Sequence, residues 1–274
     1  LVEDNKINQQ VGLALLQKLG LEVDLAGNGE AALARVQQQH YDAVLMDMQM
    51  PIMDGLEATR RIRALPGLDK MPIIAMTANA MTEDRQRCLD AGMNDHVAKP
   101  IVPATLSNVL ETWLPKNMSP AAGPAGGARS GSSAATATLT ELPESLHAVE
   151  GLDASAGLRL AMRKPALYLT LLSRFVDDQG DFRTAIRTSL ARGDVETATL
   201  QAHTLRGVAA QIGAHALSEI AGHLERALKQ GATSVQVEER VDEAGDHLDR
   251  LIAAILPHLP TVHPEPDATP VVRR

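Results

Sequence analysis

Five polar positions in the first hundred residues stand where chemistry is most easily assembled: Glu3, Asp4, Asp47, Thr77 and Lys99. Each follows a short apolar run, Leu1–Val2, Ala43–Val44–Leu45–Met46, Ile73–Ile74–Ala75–Met76 or Val97–Ala98. Read as parallel strands, these runs end on one edge of a sheet, the edge where open α/β folds bind ligands. Asp47 taken alone is ambiguous, because aspartate also opens loops, and Pro51 and Gly55 follow it closely. Together the five place three carboxylates, one hydroxyl and one ammonium on a single rim. Carboxylates sharing a pocket repel and rise in pKa unless a cation sits among them. A hard, oxygen-ligated ion such as Mg²⁺ suits that donor set. Met48, Met50 and Met53 are soft sulfur groups that such an ion avoids, so they read as loop packing. A carboxylate beside Mg²⁺, flanked by Thr and Lys donors, is built to receive a phosphoryl group. Asp47 would attack phosphorus while Mg²⁺ and Lys99 neutralise charge on the transferring oxygens.

A second constellation lies in the other half, in the stretch Asp194–Ile212. At about 100° per residue, Ala198, Leu205, Val208, Ala209 and Ile212 gather on one helical face. His203 points nearly opposite, with Thr199, Arg206, Gly207 and Ala210, so the pattern places its ring on the solvent face. Arg206, one turn on, can hold an anion beside the imidazole. Gly207 costs roughly 1 kcal/mol relative to alanine in a helix interior and leaves room for another surface to approach. Gln211 reads equally as an assisting group or a solvated one, and His215, His223 and His247 lack metal-site spacing and read as surface or packing residues.

The elements that must position these groups fall into two classes. Helical spacing at Lys6–Leu19 is followed by an alternating strand at Leu21–Ala26 and a Gly27–Gly29 turn, then a helix at Glu30–Gln39. After the strand ending on Asp47 come a helix at Leu56–Ala64, a strand at Ile73–Met76 and a helix at Thr82–Ala91 capped by Thr82 and stopped by Gly92. A strand at His96–Ala98 and a helix at Pro103–Leu114 complete residues 1–116. This alternation is that of a doubly wound, five-stranded parallel sheet. Its first strand has only two residues before Glu3, so the chain reads as cut inside that strand, with a larger parent extending to the left. Residues 117–140 are rich in Ala, Gly, Ser, Pro and Thr and read as a flexible linker. Residues 141–257 turn wholly helical. A short leading helix at Gly151–Leu160 precedes long ones at Pro165–Thr188, Asp194–Ile212, His215–Gln230 and Val235–Leu256, the pattern of an antiparallel four-helix bundle. The proline-rich stretch 258–274 reads as disordered.

Composition narrows the rest. A 274-residue chain with 45% hydrophobic and 22% charged residues is an ordinary globular one. There is no apolar run of membrane-spanning length and no secretory signal. Net charge is −8 without a basic cluster, and aromatics are 2%, which argues against nucleic acid as a direct ligand. The single cysteine, Cys88, fits a reducing, cytoplasmic setting.

Residues 1–116 closely resemble a response-regulator receiver domain, a flavodoxin-like fold. LVEDN is similar to its acidic pair, Glu3 and Asp4, and VLMDMQMPIMDG to the segment around its phosphorylated aspartate, Asp47. IIAMTANA carries its hydroxyl, Thr77, and VAKP its lysine, Lys99, in a Lys–Pro bond usually cis in that family. The resemblance implies Mg²⁺ held by Glu3, Asp4, Asp47 and the backbone carbonyl of Gln49, and a switch position at His96, which reads equally as a packing histidine. AHTLRGVAAQIGAHAL resembles the phosphohistidine segment of histidine-containing phosphotransfer domains, with His203 at the phosphorylated position, Arg206 at its basic one and Gly207 at its small one. Together they are similar to the C-terminal part of a hybrid sensor histidine kinase. The implied path runs from an upstream histidine kinase module to Asp47, then to His203, then to a downstream response regulator. A linker of about 25 residues spans roughly 25–30 Å and allows that docking at local concentrations up to the mM range. Two rivals stand beside it. A phosphorylation-controlled scaffold would only bind a partner, and a Mg²⁺-dependent phosphohydrolase lacks its expected Asp two residues after Asp47, where Gln49 stands.

Overall fold

The structure, a computed structural model, describes residues 1–77, 82–114 and 141–259, without the side chains of 82–84. The expected linker at 117–140 and nearly all of the expected tail lie outside the described residues.

In the first domain, α1 (Lys6–Lys18) starts where the Asn5 side chain accepts hydrogen bonds from the Ile7 and Asn8 amides. Asn28 caps α2 (Gly29–Gln38) and Asp54 caps α3 (Gly55–Arg63) in the same way. Helices α4 (Thr82–Asp90) and α5 (Pro103–Trp113) complete the set. Strands β1 (Val44–Asp47), β2 (Ile73–Thr77) and β3 (Asp95–Ala98) form a parallel sheet in the order β1-β2-β3. Val2 extends it as single parallel bridges to Met46 on one side and Ala26 on the other. The backbone bonds Val2 N–H to Leu45 O and Asp47 N–H to Val2 O place the opening segment at the middle of the sheet. Among the described residues five parallel segments are therefore present, but the expected strand at Leu21–Ala26 shrinks to one bridge at Ala26. The pairing there consists of the bonds Ala26 N–H to Leu1 O and Glu3 N–H to Ala26 O, with the Leu1 ammonium donating to the Asp24 carbonyl.

Alternation along the strands separates two apolar layers. Leu45, Ile74, Met76 and Val97 face α1 and α5, while Val44, Met46, Ile73 and Ala75 face α2, α3 and α4. Each fully buried Leu, Ile or Val contributes about 1.5–3 kcal/mol. One glycine matters to the rim. A Cβ on Gly55 would lie 2.0 Å from the Asp47 carbonyl oxygen, so only glycine lets the returning loop cross the end of β1.

The second domain begins with a short 3₁₀ turn (Glu144–Ala148) and α6 (Ala154–Leu160). The long helix expected over Pro165–Thr188 is two, α7 (Pro165–Gln179) and α8 (Phe182–Ala191), broken at Gly180–Asp181, both poor helix formers. Helices α9 (Val195–Ile212), α10 (His215–Lys229) and α11 (Ser234–Ile255) follow, α11 opened by a Thr233–Gln236 capping box. Helix α9 is the central member, packing on α6, α7, α8 and α10. It ends at Gly213, whose φ of 89° and close approach to the Asp153 carbonyl require glycine. Helix α1 packs against both α7 and α9, so the two domains meet along it.

Candidate functional site

Asp47 ends β1 and is 3% exposed. The register carries its neighbours to the same rim: Asp47 pairs with Met76, Thr77 with Ala98, and the Lys99 amide bonds to the Thr77 carbonyl at 2.6 Å. From there the Lys99 ammonium reaches Glu3 Oε2 at 2.6 Å and Asp47 Oδ2 at 2.7 Å. Ligand oxygens of Glu3, Asp4 and Asp47 lie within 4.8 Å of one another. The Lys99–Pro100 bond is cis. Burial pushes Asp47 up to about 7, with Glu3 and Asp4 adding to the rise and Lys99 opposing it. Asp4 rises to about 6, from burial first and then from Glu3. Burial would lower Lys99, but Asp47 and Glu3 hold it above the usual lysine range. A crowded, oxygen-only carboxylate set in which Asp47 and Asp4 are raised is the environment a divalent hard cation relieves. The Thr77 hydroxyl is buried and has no hydrogen-bond partner among the described residues, which leaves it available. Gln49 follows on the loop, its amide 3.5 Å from Asp47 Oδ1. His96 is set apart from this group, partly exposed on β3 beside Asp95.

The imidazole of His203 does not face solvent as its helical position predicts; the residue is 8% exposed. Two neighbours that periodicity cannot register close over it. From α10, Glu225 Oε1 lies 3.1 Å from His203 Nδ1. From the first domain, Glu3, Asp47 and Lys99 line the same cavity as His203 and Arg206, a space of about 600 Å³. The ring thus sits at the junction of the domains, outside the bundle's apolar core. Burial, opposed by the bond to Glu225, lowers the His203 pKa, and the cations Arg206 and Lys99 add to that fall, so the ring is neutral near pH 7.

Glu225 is the residue that sequence reasoning missed. It is 2% exposed and meets His203, Arg206 Nη1 at 2.8 Å and Lys229 Nζ at 2.6 Å. Burial would raise it, but the bond from His203 and these cations outweigh that and hold it at about 2. A signal was present: Glu225 interrupts the apolar positions Leu217, Ala221, Leu224 and Leu228 of α10, and a carboxylate there must be paired. A carboxylate only accepts, so Nδ1 carries the proton and Nε2 of the neutral ring holds a free lone pair. Gly207 also lines the cavity, yet a Cβ there would meet nothing within 4 Å, so the approach of the first domain does not demand glycine.

Comparison with known proteins finds a family for each half. Residues 1–111 match the response regulator receiver domain and residues 170–256 the Hpt domain. The chain is a receiver domain joined to an Hpt domain. Sensor protein GacS of Pseudomonas syringae pv. syringae is 33% identical over 257 residues, which is 92% of this chain and 26% of GacS. Signal transduction histidine-protein kinase BarA of Escherichia coli (strain K12) is 30% identical over 250 residues, 91% of this chain and 26% of BarA. The chain therefore spans about a quarter of the length of these relatives. Among solved structures, the receiver domain of sensor histidine kinase PA1611 from Pseudomonas aeruginosa PAO1, with magnesium coordinated in its active site cleft, is 49% identical. That match covers 41% of this chain and 92% of the other, with a TM-score of 0.39. No helix among the described residues is long and apolar enough to cross a membrane.

Proposed function

We propose that the chain is two consecutive stations of a phosphorelay, in which the receiver takes a phosphoryl group on Asp47 and passes it to His203 of the Hpt domain. The observation that carries this reading is the shared cavity, onto which both acceptors open. An upstream histidine kinase module supplies the phosphoryl group and a downstream response regulator takes it from His203, in keeping with the kinase relatives. The receiver rim suits Mg²⁺, with Glu3, Asp4, Asp47 and the Gln49 backbone carbonyl as ligands. When bound, the ion would neutralise charge on the phosphoryl oxygens.

The protein's own groups do the rest. Asp47 is the nucleophile for loading, and Lys99, already 2.7 Å from its Oδ2, neutralises the growing charge. Thr77 supplies a hydroxyl donor from the neighbouring strand. In the transfer step the Nε2 lone pair of His203 attacks phosphorus, the acyl phosphate O–P bond breaks, and Asp47 leaves as a carboxylate. No proton moves: Nδ1–H stays on the ring, and Glu225 balances the positive charge the ring acquires. Arg206 lies beside the imidazole, ion-paired with Glu225 at 2.8 Å, so it reaches phosphoryl oxygens only by sharing that contact.

The test compares wild type, Asp47→Asn and His203→Gln, each given a labelled histidine kinase module and Mg²⁺. Wild type gains acid-labile, alkali-stable label, His203→Gln gains only alkali-labile label, and Asp47→Asn gains neither. Label reaching His203 at the wild-type rate in Asp47→Asn would overturn the order. Absence of label on His203 in wild type would leave a scaffold.

A further inference from the structure

Among the described residues, three permanent cations line the shared cavity, Lys99, Arg206 and Arg226, and they are not equally free. Lys99 is held by Glu3 and Asp47. Arg206 is held by Glu225 at 2.8 Å. Among the described residues, the guanidinium of Arg226 has no ion-pair or hydrogen-bond partner, although it borders the same space. Its position is set by a gap in α10. Arg226 runs back over Gly222, where a Cβ would lie 3.9 Å from Arg226 Nη1 and 3.2 Å from the Arg206 Cδ. Gly222 is thus a notch crossed by two arginine stems from two helices. One of the two guanidiniums is tied down, and the other is open to the cavity.

We propose that Arg226 is the cation that receives the transferring phosphoryl group on the histidine side of the cavity. This rests on the relay reading above. As the O–P bond to Asp47 breaks and the bond to His203 Nε2 forms, the phosphoryl oxygens leave the field of Lys99. A dianionic group arriving at His203 needs a new counter-charge. Arg206 can supply one only by giving up part of its contact with Glu225, whereas Arg226 gives up nothing. Its planar fork matches phosphoryl oxygens two at a time. The sequence gives Arg226 no motif. It is 23 residues beyond His203 on another helix, and only the crossing at Gly222 brings it to the site.

The experiment loads the full chain with labelled acetyl phosphate and Mg²⁺ and follows two quantities. One is the rate at which alkali-labile acyl phosphate becomes alkali-stable phosphohistidine, and the other is their ratio at equilibrium. Arg226→Ala slows transfer roughly tenfold, less than the hundredfold typical of a buried donor because Arg226 is exposed. It also shifts the ratio toward the acyl phosphate. Arg226→Lys keeps an intermediate ratio, and millimolar guanidinium partly restores Arg226→Ala. Loading of Asp47, read in a His203→Gln background, is unchanged by Arg226→Ala. A slower rate with an unchanged ratio would make Arg226 a docking residue and overturn the proposal, as would wild-type behaviour of Arg226→Ala. A wild-type chain that never labels His203 would instead overturn the relay.

Discussion

Replacing Glu225 separates what its charge does from what its position does. The carboxyl falls from 4.5 to about 2 in the folded chain, so its ionised form gains about 3 kcal/mol from its surroundings at about 1.4 kcal/mol per tenfold change in proton affinity. A carboxylate whose folded pKa is depressed contributes its stability above the unfolded value. That contribution is complete above about pH 5 and is lost as pH falls toward 2. Urea unfolding of wild type should therefore show the bundle losing about 3 kcal/mol across that window beyond the loss seen in Glu225→Gln. Transfer divides differently. Glutamine keeps an oxygen that accepts from His203 Nδ1–H and so keeps the tautomer, but it cannot balance the ring's acquired charge. The difference between a charge-assisted and a neutral hydrogen bond, about 1–1.5 kcal/mol, predicts a roughly tenfold slower single-turnover transfer to His203. Glu225→Ala offers no acceptor and should fall about a hundredfold, with circular dichroism confirming a folded bundle. Wild-type transfer by Glu225→Ala would refute the tautomer argument, and pH-independent wild-type stability between pH 5 and 2 would refute the electrostatic one.

The receiver rim has the opposite pH dependence. Asp47 and Asp4 are raised to about 7 and about 6, so between pH 4 and 7 these two carboxyls bind more protons in the folded chain than in the unfolded one. Without a divalent cation the receiver should melt at a higher temperature at pH 5 than at pH 8, and millimolar Mg²⁺ should shrink the difference. A melting temperature unaffected by Mg²⁺ at pH 8 would count against the carboxylate site. Gly55→Ala places a methyl 2.0 Å from the Asp47 carbonyl, so it should destabilise the receiver by about 1–3 kcal/mol and slow loading of Asp47 from acetyl phosphate. Urea midpoints and loading rates check both.

The parallel sheet and its charged rim were legible because their signals are local. Apolar runs of four residues ending on Asp47 and Thr77, and the shorter Val97–Ala98 ending on Lys99, need no distant information to be read as strand ends. The strand at Leu21–Ala26 was not, because pairing depends on a neighbour, and that neighbour supplies one bridge. The break between α7 and α8 was missed although Gly180 and Asp181 announce it, since apolar spacing continues on both sides. His203 shows where periodicity stops informing. It sorts residues by apolar packing within one domain, and cannot represent a polar face closed by Glu225 from a neighbouring helix and by Lys99 from another domain. Glu225 was readable as a misplaced charge on α10, but its partners were not.

Because Asp47 and His203 border one cavity within a single chain, transfer between them should not depend on meeting a second molecule. The decisive measurement is the half-life of acyl phosphate conversion to phosphohistidine over a hundredfold dilution, beside an equimolar mixture of Asp47→Asn and His203→Gln chains. Intramolecular transfer predicts a constant half-life for wild type and, in the mixture, a slower transfer that fades on dilution. A wild-type half-life that lengthens in proportion to dilution, matching the mixture, would contradict the account.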